Sequence, residues 1–216
     1  MRAASQADPD AVAHLRAADP VMRALIDRIG ELDIGARRRG RPPDPFGSLL
    51  RSVVGQQLSV LAARSIFARI VELAGGRSPT PEQLLELSDA QLRAAGLSGQ
   101  KIVYVRDVAK HVLAGELDLR ALRRMTDEEI VERITAVKGL GRWTAEMFLM
   151  FHLGRPDVLP VGDLGIRRAV ERAYQQPDLP SARHLMRIGE PWRPHRTLAC
   201  LYLWESLGNV PAPTPP

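Results

Sequence analysis

Apolar residues along this chain recur at spacings of three and four, and no run alternates apolar with polar positions for long enough to suggest a sheet. The pattern predicts an all-α protein. A first helix is expected over Val21–Ile29, preceded by Asp19-Pro20. Phe46–Leu73 is apolar on one face and divides into two helices, with Ser59 as the N-cap where they meet. Three S/T-x-x-E/Q pairs, Thr80 with Gln83, Ser88 with Gln91 and Thr126 with Glu129, mark further starts as capping boxes. Pro81 suits the first helical position after Thr80. Helices continue over Gln100–Leu113, Asp127–Val137, Arg142–Leu153, Leu164–Tyr174, Ser181–Ile188 and Thr197–Leu207. About ten short helices with short loops predict one compact helical domain over residues 1–216. Residues 1–18 and 209–216 are expected to be flexible, and the basic, proline-rich Arg37–Pro45 to be a solvated connector.

Composition changes the picture in two ways. The formal charge is +5 and the pI about 10.0, with the basic residues nearly all arginine; lysine occurs only at 101, 110 and 138. A basic balance suits a polyanionic partner through counterion release, although arginine richness also arises from genome composition. Cys200, the single cysteine, lies in the apolar run TLACLYLW and reads as a small core residue. One cysteine excludes an internal disulfide and a four-cysteine iron–sulfur cluster built from this chain. No apolar stretch is long enough to span a bilayer, and the N-terminus lacks an apolar signal core, so a cytoplasmic location is expected. His14, His111, His152, His184 and His195 show no ligand spacing, and neither a metal nor an organic cofactor is expected.

The chemistry concentrates in Val137–Arg167. Gly139-Leu140-Gly141 is a tight turn between two helical runs, residues 127–153 together forming a hairpin of helices. Gly139 can take positive φ at the end of the first helix. The first amides of the second helix have no partner within it and, with the helix dipole, favour an anion. Gly141 keeps the backbone bare, Lys138 and Arg142 add charge on either side, and Thr144 can cap or contact the same oxygen. Asp163 follows 24 positions after Gly139, behind a Gly/Pro-rich loop, at the expected N-cap of the next helix. Asp is a preferred N-cap, so capping alone gives it a structural role. Asp157 is a competing acid in mid-loop.

The pattern apolar-x-Gly-apolar-Gly-x-x-Thr-Ala resembles the helix-hairpin-helix (HhH) motif, which grips the DNA backbone without reading bases. With the loop LPVGDLGIR that follows, the stretch resembles the HhH-GPD superfamily of DNA glycosylases, in which a Gly/Pro-rich loop ends in a catalytic aspartate. Residues 46–208 match more loosely. The resemblance implies a two-lobed all-α fold with an active-site cleft between the lobes, Asp163 as the catalytic carboxylate, and damaged double-stranded DNA as partner of a chromosome-associated monomer. Bifunctional members carry a lysine where Trp143 stands here, which argues against a Schiff-base lyase. The lone Cys200 argues against the branches that hold a C-terminal cluster.

The branch that remains is similar to 3-methyladenine DNA glycosylase II. Arg142-Trp143-Thr144-Ala145 matches its hairpin, Val54-Gly55-Gln56-Gln57-Leu58-Ser59 its duplex-probing turn, and Pro194–Trp204 its C-terminal helix. By that comparison Trp143 and Trp204 line the base pocket with Met147, which stands where relatives place an aromatic. Gln57 takes the intercalating position and Leu58 is the second candidate. Trp192 is assigned to the core. Lys138 replaces a common proline, and Gly162 stands where some relatives have a second acid.

The reaction implied is hydrolysis of the N-glycosidic bond of alkylated purines, 3-methyladenine or 7-methylguanine, after base flipping. The Trp143 and Trp204 faces would hold the cationic base. Two other readings stay open: a non-catalytic HhH DNA-binding protein, which needs neither an acid at 163 nor pocket aromatics, and a glycosylase for other damaged or mismatched bases.

Overall fold

The computed structural model describes residues 6–34 and 41–208, the side chain of Val60 excepted. Residues 37–40 of the Arg37–Pro45 connector and the 209–216 tail lie outside the described residues. The architecture is all-α: among the described residues there is no strand, only an isolated bridge between Gln6 and Asp33. No described helix is long and apolar enough to cross a membrane. The chain folds as two compact units, residues 1–40 with 154–216, and residues 41–153.

The first unit opens with α1 (Pro9–Ala18) and α2 (Pro20–Ile29). Within the span 1–18 expected to be flexible, residues 1–5 lie outside the described residues, while Pro9–Ala18 forms helix α1. Asp8 caps it, Pro9 presets its first turn, and Ala11 and Leu15, four apart, are buried. Two apolar contacts in ten residues are too sparse a periodicity to stand out in the sequence. The unit is completed by α10 (Leu164–Ala173), α11 (Ala182–Ile188), a 3-10 turn over Glu190–Trp192 and α12 (Arg196–Ser206), which packs on α2 and α10. Trp192 and Cys200 are fully buried, in keeping with the expectation that both belong to the core.

Buried Asp19 joins these pieces. Its carboxylate caps α2 through the amides of Val21 (2.8 Å) and Met22 (3.2 Å). It also accepts from Trp192 Nε1 at 2.9 Å and from the Tyr174 hydroxyl. Burial and the facing carboxylate push the Tyr174 phenol well above its ordinary range.

The second unit contains α3 (Pro45–Gly55), α4 (Val60–Leu73), α5 (Pro81–Glu86), α6 (Asp89–Ala94), α7 (Gly99–Leu113), α8 (Asp127–Thr135) and α9 (Arg142–Phe148). All three capping boxes close as the sequence predicts, with Pro81 at the first position of α5. Helix α3 is the hub, packing on α4, α7 and α9 through Leu49, Leu50, Val53 and Val54. The run Arg142–Leu153 is not one α-helix: residues Leu149–Leu153 widen into a π-helical turn.

Candidate DNA-binding hairpin and catalytic carboxylate

Within the second unit, α8 ends at Thr135 and α9 begins at Arg142. Gly139 between them has φ 85°, and a Cβ there would lie 2.2 Å from Cγ of Tyr104. Positive φ and the tyrosine ring beneath both demand glycine. Buried Leu140 anchors the turn, its amide donating to Val137 O at 3.1 Å. Gly141 differs from Gly139. Its φ is −89°, it is exposed, and an added Cβ would meet nothing within 4 Å. No side chain caps α9, so the bare Gly141 face opens onto the amides of its first turn.

Three other hairpin residues divide in fate. Lys138 is exposed beside the turn. Arg142 is engaged by acids: it donates to both oxygens of Glu128 at 2.9 Å, and its Nε lies 3.3 Å from buried Glu146. The pair pushes the Arg142 guanidinium up and Glu128 down from their ordinary values. Thr144, expected at the phosphate, is buried at 1% exposure. Its Oγ1 accepts from Gln56 Nε2 at 3.1 Å, so it serves the interior of the hairpin rather than its outer face.

The α3–α4 turn stands beside the hairpin in the same unit. Gln57 sits at its apex with φ 58°, uncommon for a residue bearing a Cβ, and its side chain is exposed. Leu58 is 41% exposed, and Ser59 caps α4 through the Ala62 amide at 3.3 Å. Both residues proposed for the wedge therefore project to solvent. Leu61, 74% exposed in the first turn of α4, adds an apolar side chain that the sequence pattern did not single out. Trp143 is half-buried and Met147 is buried, both on α9.

Asp163 lies in the first unit as the N-cap of α10. Its Oδ1 accepts from the Ile166 amide at 2.8 Å and from the Trp204 indole Nε1 at 3.0 Å. Trp204 thus contacts the carboxylate itself, a connection that its place on an amphipathic helix does not signal. Gly165 is the floor of this arrangement: a Cβ there would sit 3.0 Å from Asp163 Oδ1 and 3.1 Å from the Trp204 indole. Asp157, the competing acid, is held by Arg196 at 2.6 and 2.9 Å and by Arg193 at 2.9 Å. Those pairs make it a brace between the loop and the start of α12.

A glycine hairpin between helices and a loop-borne aspartate capping the next helix define a class. Residues 50–194 match the family model described as "HhH-GPD superfamily base excision DNA repair protein", and the chain belongs to that superfamily. Among curated proteins it is similar to DNA-3-methyladenine glycosylase 1 of Schizosaccharomyces pombe, 34% identical over 195 residues, covering 89% of this chain and 85% of the relative. Among solved structures it resembles the S. pombe 3-methyladenine DNA glycosylase in complex with abasic DNA, with TM-score 0.82, 32% identity and coverage of 92% and 97% of the two chains. It also resembles a DNA-3-methyladenine glycosidase of Bacillus halodurans, with TM-score 0.76, 42% identity and coverage of 96% and 93%.

Proposed function

We propose that this protein is a monofunctional DNA glycosylase of base excision repair that hydrolyses the N-glycosidic bond of alkylated purines, with Asp163 as the catalytic carboxylate. The observation that carries the reading is the double hold on Asp163 Oδ1 by the Ile166 amide and the Trp204 indole, in the loop position that names the superfamily. The alkylated-base substrate class is supported by the names of the similar proteins, and duplex binding by the abasic-DNA complex of the S. pombe relative.

In this reading the exposed turn at Gln57 and Leu58 enters the duplex while the damaged nucleotide is extruded, at a cost of a few kcal/mol that is least for a damaged base. The hairpin face at Gly139 and Gly141, with Lys138, holds a phosphate. Trp143 and Met147 remain proposed contacts to the base. Alkylation at N3 or N7 makes the purine cationic and a good leaving group, so bond breaking needs no strong general acid. Positive charge then develops on the sugar, as in glycoside hydrolysis. A carboxylate fixed by two donors stabilises that charge without having to reorganise, and orients the attacking water. Trp143 at the position of the lyase lysine leaves no amine there to form a Schiff base, and the expected product is an abasic site plus free base.

The test is release of free bases from dimethyl-sulfate-treated duplex DNA, resolved by chromatography. Wild type is expected to release methylated purines, and Asp163→Asn to slow release by about 100-fold or more while keeping DNA affinity. Equal release by both proteins overturns the catalytic assignment. No release by wild type, with binding intact, turns the reading to a non-catalytic HhH DNA-binding protein.

A further inference from the structure

The turn that presents Gln57 is short, exposed and strained at its apex, yet in the proposed function it must displace stacked bases. Its own backbone supplies little resistance: Gln56 N donates to Val53 O at 3.3 Å and Leu58 N to Gly55 O at 3.2 Å. The last carbonyls of α3 would ordinarily be left to solvent. Instead Lys101, from α7, donates through Nζ to Val54 O at 2.7 Å and to Gln56 O at 2.8 Å. An ammonium at a helix C-terminus is also favoured by the dipole. Two of its three donors are committed to carbonyls immediately before the apex.

The same turn is tied on its other side. Gln56 Nε2 donates to Gly139 O at 2.9 Å and to Thr144 Oγ1 at 3.1 Å. The Gln56 carbonyl is therefore held by Lys101 while its side chain holds the hairpin carbonyl. One turn along α7 from Lys101, the Tyr104 ring lies directly under Gly139. A single helix thus supports both the probing turn and the phosphate-gripping turn, around a groove of about 510 Å3.

We propose that Lys101 and Gln56 are positioning residues that weld the duplex-probing turn to the hairpin, so that phosphate contact and penetration of the base stack act as one rigid step; this rests on the glycosylase reading above. Both act through the turn and the hairpin that they join. Partial burial lowers the Lys101 ammonium below its ordinary range, in keeping with a cation turned inward to carbonyls instead of outward to DNA.

The test compares affinity for a duplex carrying a tetrahydrofuran abasic-site analogue with affinity for the same duplex undamaged. The proteins are wild type, Lys101→Met, Gln56→Met and the double variant, each with a thermal melt. In each single variant the abasic preference is expected to fall by about tenfold, the scale of the charge-assisted bonds lost with Lys101 or of the two neutral bonds lost with Gln56, with undamaged-duplex affinity within about twofold of wild type. The double variant should lose no more than the larger single loss, because both act on one unit. Unchanged preference in the variants that fold overturns the proposal. A parallel fall in both affinities also overturns it, since that is loss of phosphate binding or of the fold. A wild type with no abasic preference overturns the glycosylase reading, and the proposal with it.

Discussion

Asp163 does two jobs with one oxygen. Oδ1 closes the first turn of α10 and receives the Trp204 indole N–H, so the capping and catalytic readings of this residue are compatible. The neighbouring Gly165 yields a sharp expectation. Gly165 is the second residue of α10, where exchange of glycine for alanine gains less than the roughly 1 kcal/mol of a helix interior. At 165 the new Cβ would stand 3.0 Å from the carboxylate and 3.1 Å from the indole, tighter than ordinary contact, so one of them must move. Gly165→Ala should therefore leave the melting temperature close to wild type but slow single-turnover base release by about tenfold or more, since misplacement of a fixed carboxylate is costly to the reaction. Wild-type rates in this variant would show that the arrangement tolerates displacement.

At the scale of elements, helix starts were easier to read than helix ends and irregularities. The three capping boxes and the Ser59 cap are local patterns of four residues, and each forms. The π-helical turn at Leu149–Leu153 has no such pattern, because widening by one residue is decided by what the helix packs against. His152 lies in that turn, half-buried and stacked on Phe148 at 4.8 Å. Desolvation and then Arg123 push its pKa down, with Asp44 partly opposing. A histidine depressed in the folded state binds its proton more readily when unfolded, so stability rises with pH through its titration range. The denaturant midpoint is expected to fall as pH drops from about 7.5 to about 5.5, across the ordinary histidine range. His152→Gln should flatten that slope; an unaltered slope would place the sensitivity elsewhere.

At the scale of the whole molecule, contacts distant in sequence carry the arrangement. Asp19 meets residues 155 and 173 positions away, Tyr174 and Trp192, while also capping α2. Asp19→Ala would leave the buried Trp192 indole and the part-buried Tyr174 hydroxyl without their acceptor and remove a cap, at an expected cost of about 3 kcal/mol in equilibrium unfolding. A loss below about 1 kcal/mol would mean that water or a repacked neighbour replaces the carboxylate.

The amino-acid sequence by itself determined the helical class, most helix starts, the glycine hairpin, the loop aspartate and the family they point to, because each is a periodicity or a short pattern set by local physics. It did not show α1, whose two buried apolar residues are too few to register. Beyond the local caps, only the tertiary structure decided which donor meets which acceptor. It turned Thr144 inward to Gln56, engaged Arg142 with Glu128, set Lys101 under the probing turn and brought the Trp204 indole to Asp163. Apart from the Arg142 pair, at 14 positions, these contacts join residues some 40 or more positions apart. Their geometry is fixed by packing, and no pattern along the chain records it.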